Sequence, residues 1–224
     1  MFNITHLFTL KNLLNPLQIE KMEIYARELF HFNKSISLYS RRQKPGFCWE
    51  MILDSLVAGP ILLKDSTQPL IADIGSGAGF PGIVLSVLAP KREFWLFESN
   101  KKKSCFLEYI CWKLSLSNVH VKNKKVEQSE TLLNCAVSKA FFSLGKRLDL
   151  TQSIFRTGAC YYHLQSSNWE AQWKKAPVPI QKNWSIELVG KYSYPPWFTD
   201  RALLKTIFKG EVKKVVGPEQ VLTT

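Results

Sequence analysis

The chain predicts an α/β fold: a mostly parallel sheet flanked by helices, with a small helical cap ahead of it. Three features point there. From about residue 67 onward, short apolar runs alternate with stretches of helical spacing, the pattern of a parallel sheet covered on both faces. The first run leads into a glycine turn, Asp73-Ile74-Gly75-Ser76-Gly77-Ala78-Gly79-Phe80-Pro81-Gly82, and an apolar segment follows it. The last two apolar runs are joined by a long loop with no helix-like stretch, as expected of a terminal antiparallel pair.

Taken in order, residues 1–66 form the cap. Its first ten residues read as a loose or partly docked tail. Asn15-Pro16-Leu17-Gln18 then has the form of a helix start, with a capping Asn, Pro at the first helical position and Gln three residues after the cap. Ile19, Met22, Tyr25, Ala26 and Leu29 recur on one helical face. After a polar stretch, Cys48–Leu63 reads as a second helix ending near Pro60 or shortly after. This cap is too small to be a robust domain and is expected to pack on the second unit, residues 67–224.

In that unit the expected strands are Leu70–Ile74, Phe94–Glu98, Val119–Val121, Ala136–Lys139, Ala159–Leu164, Ser185–Val189 and Leu203–Phe208. Helices are expected over Gly82–Leu88, Lys102–Leu116 and Leu144–Arg156. Trp49 and Trp112 are expected to pack in the core.

The glycine turn carries the chemistry. Glycines tolerate positive φ and let the main chain approach a ligand closely, and the helix that follows offers its N-terminus. A dinucleotide fingerprint asks for glycine where this chain has Phe80, and the Lys-Ser/Thr pair of a phosphate loop is missing. An acid, Asp73, precedes the glycines and would act on the ligand or, through water, on the turn. A second acid, Glu98, ends the next strand 25 residues later, where a carboxylate can accept both hydroxyl hydrogens of a ribose. The spacing around Asp73, Gly75, Gly77 and Gly79 resembles the first motif of class I S-adenosylmethionine-dependent methyltransferases, with their Rossmann-like seven-stranded sheet.

Composition narrows the partners. The formal net charge is +12, with clusters at Arg41-Arg42, Lys101-Lys102-Lys103, Lys122 to Lys125 and Lys209 to Lys214. Such an excess favours a polyanion through long-range attraction and counterion release. No run approaches the roughly eighteen apolar residues of a membrane helix, and no secretion signal is evident. The five cysteines show no C-x-x-C pairing, which suggests reduced thiols in a cytoplasm. The four histidines lack ligand spacing, so no metal is expected.

Three stretches together are similar to the bacterial 16S ribosomal RNA (guanine-N7) methyltransferases, the RsmG or glucose-inhibited-division-B family. Phe32-Asn33-Lys34-Ser35-Ile36-Ser37-Leu38, leading to Ile52-Leu53-Asp54-Ser55-Leu56, resembles that family's W-N-K-x-x-N-L-T and H-I-L-D-S. The glycine turn continues through Glu98-Ser99-Asn100-Lys101-Lys102-Lys103, similar to D-S-x-x-K-R. Val137-Ser138-Lys139-Ala140-Phe141-Phe142-Ser143-Leu144 resembles I-S-R-A-F-A-S-L.

The resemblance implies S-adenosyl-L-methionine as cofactor, with contacts at Gly75, Phe80, Val126, Glu127 and Lys139 and the ribose at Glu98. It implies 16S ribosomal RNA, or the small ribosomal subunit, as partner; a monomer is favoured. The chain departs from the family at Ser37, Tyr39, Met51, Lys139 and Gln165, on the presumed RNA side. Lysine in place of arginine at 139 loses a planar, two-pronged donor, and a catalytically impaired RNA-binding protein is the alternative reading. Guanine N7 already carries a lone pair, so methylation there needs no base. Arg42 and Lys139 are therefore expected to contact RNA phosphate or the target base, and Asp54 to order the cap against the cofactor pocket.

Overall fold

A computed structural model describes residues 14–40, 46–139, 142–194 and 200–211. Helices α1 (Pro16–Ile36) and α2 (Phe47–Asp65) precede strand β1 (Leu70–Ile74). Then follow α3 (Gly82–Leu88), β2 (Glu93–Phe97), α4 (Lys101–Lys113), β3 (Val119–Lys122) and β4 (Leu133–Lys139). The remainder is α5 (Leu144–Thr151), β5 (Phe155–Ser166), α6 (Trp169–Lys174), α7 (Val178–Asn183), β6 (Trp184–Tyr192) and β7 (Arg201–Phe208). The seven strands form one sheet in the order β3-β2-β1-β4-β5-β7-β6. All neighbours are parallel except the pairs that β7 makes with β5 and β6.

Alternation along the strands divides the core into two layers. Ile71, Phe94, Leu96, Val137 and Leu164 pack on one face beneath Met22, Leu29, Ile52 and Leu53 of α1 and α2, together with α3 and α4. Ala72, Ile74, Phe97, Ala136 and Tyr161 face the other way, against Leu144 and Leu148 of α5 and Ile180 of α7. The cap thus shares a core with the sheet. No described helix is long and apolar enough to cross a membrane.

Helix α1 begins as expected. The Gln18 amide donates to Asn15 Oδ1 (2.9 Å), and the Asn15 amide donates back to Gln18 Oε1 (3.1 Å), closing a capping box. Its Tyr25 hydroxyl donates to Ala78 O (2.7 Å), tying the cap to the glycine turn.

Helix α2 runs past Pro60 to Asp65. Leu62 is fully buried beyond the proline, and that burial carries the helix on despite the lost bond. Its end is satisfied by Arg92, whose guanidinium donates to Leu63 O (2.9 Å) and Ser66 O (2.7 Å).

Two other expectations are corrected. The helix expected to reach Arg156 stops at Thr151, because Phe155 is buried in strand β5 against Tyr161 and Trp184. Trp112 is 73% exposed on the outer side of α4, whereas Trp49 is buried. The short helices α6 and α7, flanked by Pro177, carry too little periodicity to be read from sequence.

The glycine that lets α3 approach the sheet is Gly82, two places beyond Phe80. A Cβ there would stand 2.6 Å from Asp73 Oδ2 and 2.7 Å from Leu96 Cδ2. Gly82→Ala is expected to cost about 1–3 kcal/mol by overpacking, read as a lower urea midpoint at unchanged slope. An unmoved midpoint would contradict this packing.

Candidate functional site

Strand β1 delivers the chain into a turn held by backbone bonds. The amides of Gly75 and Ser76 donate to Phe97 O (3.0 and 3.1 Å), pinning the turn over the end of β2. Glu98 follows β2 and is nearly buried. Its Oε2 accepts from the Gly77 amide (2.9 Å) and its Oε1 from the Asn100 amide (2.7 Å). Gly77 itself has φ +59, and a Cβ there would meet only Gly75 O at 3.8 Å, so this side of the turn is open.

Asp73 sits beneath the turn, fully buried. Its Oδ2 accepts directly from the Gly82 amide (2.9 Å), with no intervening water needed, so it secures the start of α3. Oδ1 has no partner. Burial pushes the carboxyl up to about 7, against the lowering effect of the Gly82 bond and with a further push from Glu98.

Two cavities open on either side of this turn, and Gly75 and Gly77 line both. The first, of about 520 Å³, lies over β2 and is walled by Phe97, Glu98, Val126, Glu127 and Phe142. The second, of about 330 Å³, lies beneath the cap and is walled by Met51, Asp54, Phe80, Lys139, Tyr194 and Arg201.

The polar wall of the second cavity is organised by Asp54, which is fully buried. Lys139 Nζ lies 2.7 Å from its Oδ2. Arg201 approaches edge-on, Nη2 to Oδ2 at 3.1 Å and Nε to Oδ1 at 3.3 Å. The Tyr192 hydroxyl donates to Oδ1 at 2.8 Å. Burial would raise the Asp54 carboxyl, but Lys139 and Arg201 outweigh it and hold the group below the ordinary carboxylate range. Lys139 also donates to Met51 O (3.3 Å) and stands 5.3 Å from the Phe80 ring centroid. The Tyr194 hydroxyl is pushed up to about 12 by burial and by the Asp54 charge.

The residues singled out in the sequence therefore fall into distinct places. Gly75, Gly77, Glu98, Val126 and Glu127 meet at the first cavity; Phe80, Lys139 and Asp54 meet at the second. Gly79 faces inward, where a Cβ would stand 2.7 Å from both Ile83 Cγ1 and the Tyr25 hydroxyl. Asp73 is beneath the turn rather than on either wall. Arg42 lies outside the described residues. Arg201, Tyr192 and Tyr194 were not singled out, because nothing local in the sequence links them to Asp54; only the pairing of Tyr192 with Arg201 across β6 and β7 brings them there.

A family model described as rRNA small subunit methyltransferase G (GidB) matches residues 18–193. Over 197 residues the chain is 29% identical to ribosomal RNA small subunit methyltransferase G 3 of Bdellovibrio bacteriovorus, covering 86% of this chain and 88% of that protein. It is 30% identical over 176 residues to the methyltransferase G of Ruthia magnifica, covering 78% and 85%. With that of Dichelobacter nodosus it shares 40% over 138 residues, covering 61% and 64%. Among solved structures, a mutant of MtNAS in complex with S-adenosylmethionine superposes with a TM-score of 0.57 at 12% identity, covering 87% of this chain and 72% of the other. At that identity the likeness is one of fold.

Two outcomes follow from the site's electrostatics. Asp54→Ala leaves Lys139 and Arg201 without their anion and is expected to cost about 3–5 kcal/mol, measured by chemical denaturation; a loss near zero would mean the cluster is not coupled to folding. For Asp73 the folded carboxyl is raised above an unfolded one, which titrates near about 4. The stability due to its proton is complete below that value and is lost as pH rises through about 7. The stability difference between the wild type and Asp73→Asn should therefore shift against the wild type across that window; a constant difference would contradict it.

Proposed function

We propose that this chain, which belongs to the GidB family of rRNA small subunit methyltransferases, transfers the methyl group of S-adenosylmethionine to N7 of a guanine in 16S ribosomal RNA. The two cavities fit the two ends of that cofactor. Glu98 keeps acceptor capacity beyond its two backbone bonds and would hold the ribose hydroxyls. Val126 and Glu127 would hold the adenine edge, and Gly75, Gly77 and Phe80 the amino-acid end at the turn. When bound, the cofactor supplies an electrophilic methyl on a sulfonium.

The observation that carries this reading is the character of the second cavity, directly across the turn. Among the described residues no histidine lines either cavity. Asp54 is held ionised by Lys139 and Arg201, so it is a poor proton acceptor. A nucleophile that must first be deprotonated is badly served by such a wall. Guanine N7 needs only to be placed, and placement can supply much of the acceleration. Arg201 has five N–H groups and directs only its Nε and Nη2 toward Asp54. Arg201 lines this cavity, and its remaining N–H groups would donate to the O6 and N7 acceptors of a guanine placed there. The net charge of +12 suits an RNA substrate. The reaction is read as cytoplasmic, with one copy of the chain as the working unit.

Purified protein incubated with methyl-labelled S-adenosylmethionine and undermethylated small-subunit particles should place label in 7-methylguanosine. Cofactor binding without transfer would sink the enzyme reading. Gly77→Asp, which places a carboxylate on the shared wall opposite Glu98, should lose measurable cofactor binding in a calorimetric titration. Retained affinity would move the cofactor elsewhere.

A further inference from the structure

The charges around the first cavity do not match the adenosine proposed to fill it. Lys103, Lys124, Lys125 and Lys146 all line it, yet an adenosine carries no negative charge for them to meet. None of the four makes an ion pair with a carboxylate among the described residues. Of the two acids in its wall, Glu98 is buried and engaged by two backbone amides, and Glu127 makes no ion pair with any of the four among the described residues. The lysines therefore serve something outside the cavity.

Two independent features point the same way. Helix α4 opens with Lys101, Lys102 and Lys103 and has no acid in its first turn. That end of a helix carries partial positive charge, so each of these cations is placed against the local field. Across the opening, Phe142 is 50% exposed in a left-handed backbone conformation (φ 60). It replaces an alanine of the family's I-S-R-A-F-A-S-L segment. Lys146 Nζ stands 4.5 Å from its ring centroid. An exposed aromatic beside a cation is a platform on which a base can stack.

The sheet order places these groups on opposite sides of the mouth. Lys103 follows β2 and Lys124 and Lys125 follow β3, whereas Phe142 and Lys146 follow β4, with β1 and the glycine turn between. A polyanion that meets both sets crosses the opening. We infer that the RNA backbone lies across the mouth of the adenosine cavity, held by Lys103, Lys124, Lys125 and Lys146 with a base on Phe142. RNA then seals the cofactor in, so cofactor binds before RNA and its product leaves after. This rests on the RNA methyltransferase reading above.

The test uses the full chain and a short fluorescent single-stranded RNA. Without cofactor, affinity is measured against salt for the wild type and for the triple variant Lys124→Gln, Lys125→Gln, Lys146→Gln. The log–log slope should fall by about 0.7 for each phosphate contact removed. Lys182→Gln, on α7 away from the mouth, should leave the slope unchanged. Release of S-adenosylhomocysteine, followed by stopped flow, should be slowed severalfold by RNA in the wild type and not in the triple variant. A wild-type slope in the triple variant overturns the inference, as does release at one rate with and without RNA. Loss of affinity for vesicles of anionic phospholipid, with the RNA slope intact, would assign the lysines to a membrane surface and overturn it too. If RNA slows release but no methyl is transferred, the inference stands and the enzymatic reading alone fails.

Discussion

A carboxylate buried with no water around it must be met by cations and donors or lose its charge, and Asp54 meets that demand with residues from three other elements. Lys139 comes from the end of β4, Arg201 from the start of β7 and Tyr192 from the end of β6. Apolar contacts alone would let helix α2 settle on the sheet in several ways. The Asp54 cluster selects one, and in it the cap and the β6–β7 hairpin close on the same cavity. A buried ion pair is a weak source of net stability and a better source of a defined geometry; here the geometry is what places charged groups next to the glycine turn. It also accommodates lysine at position 139. Lysine cannot present a planar fork, but Arg201 presents one to the same carboxylate.

The two acids of the glycine turn divide their work by environment. Asp73, buried beneath the turn, accepts from the amide that begins α3 and is pushed toward neutrality. Glu98 binds the Gly77 amide from above and stays at the cavity's edge. One fixes the turn to the helix behind it, the other to the strand beside it. Because Gly75 and Gly77 form a wall common to both cavities, fixing the turn also fixes how the two cavities face each other.

Much of this was legible in the chain because it is written locally. Short apolar runs marked the strands, and the spacing of Met22, Tyr25, Ala26 and Leu29 marked the buried face of α1. The Asn15–Gln18 capping box and the acid–glycine turn are signatures only a few residues long. What escaped was non-local. Arg201 and Asp54 are 147 residues apart in the chain, so neither carries a mark of the other. Phe155 reads as the end of a helix until its contact with Trp184 is known. Trp112 reads as core by its type, yet its neighbour Cys111 takes the buried position on α4 and turns Trp112 outward. The lysines of α4 and of the segment after β3 were visible as clusters, but their shared frame around one opening was not.

The central claim is that this site methylates guanine N7 in small-subunit ribosomal RNA. The most direct measurement is nucleoside mass spectrometry with site mapping of 7-methylguanosine in 16S ribosomal RNA, from cells with the gene, without it, and with it restored. One 7-methylguanosine is expected to disappear on deletion and to return on restoration. An identical set of 7-methylguanosines in all three would contradict it.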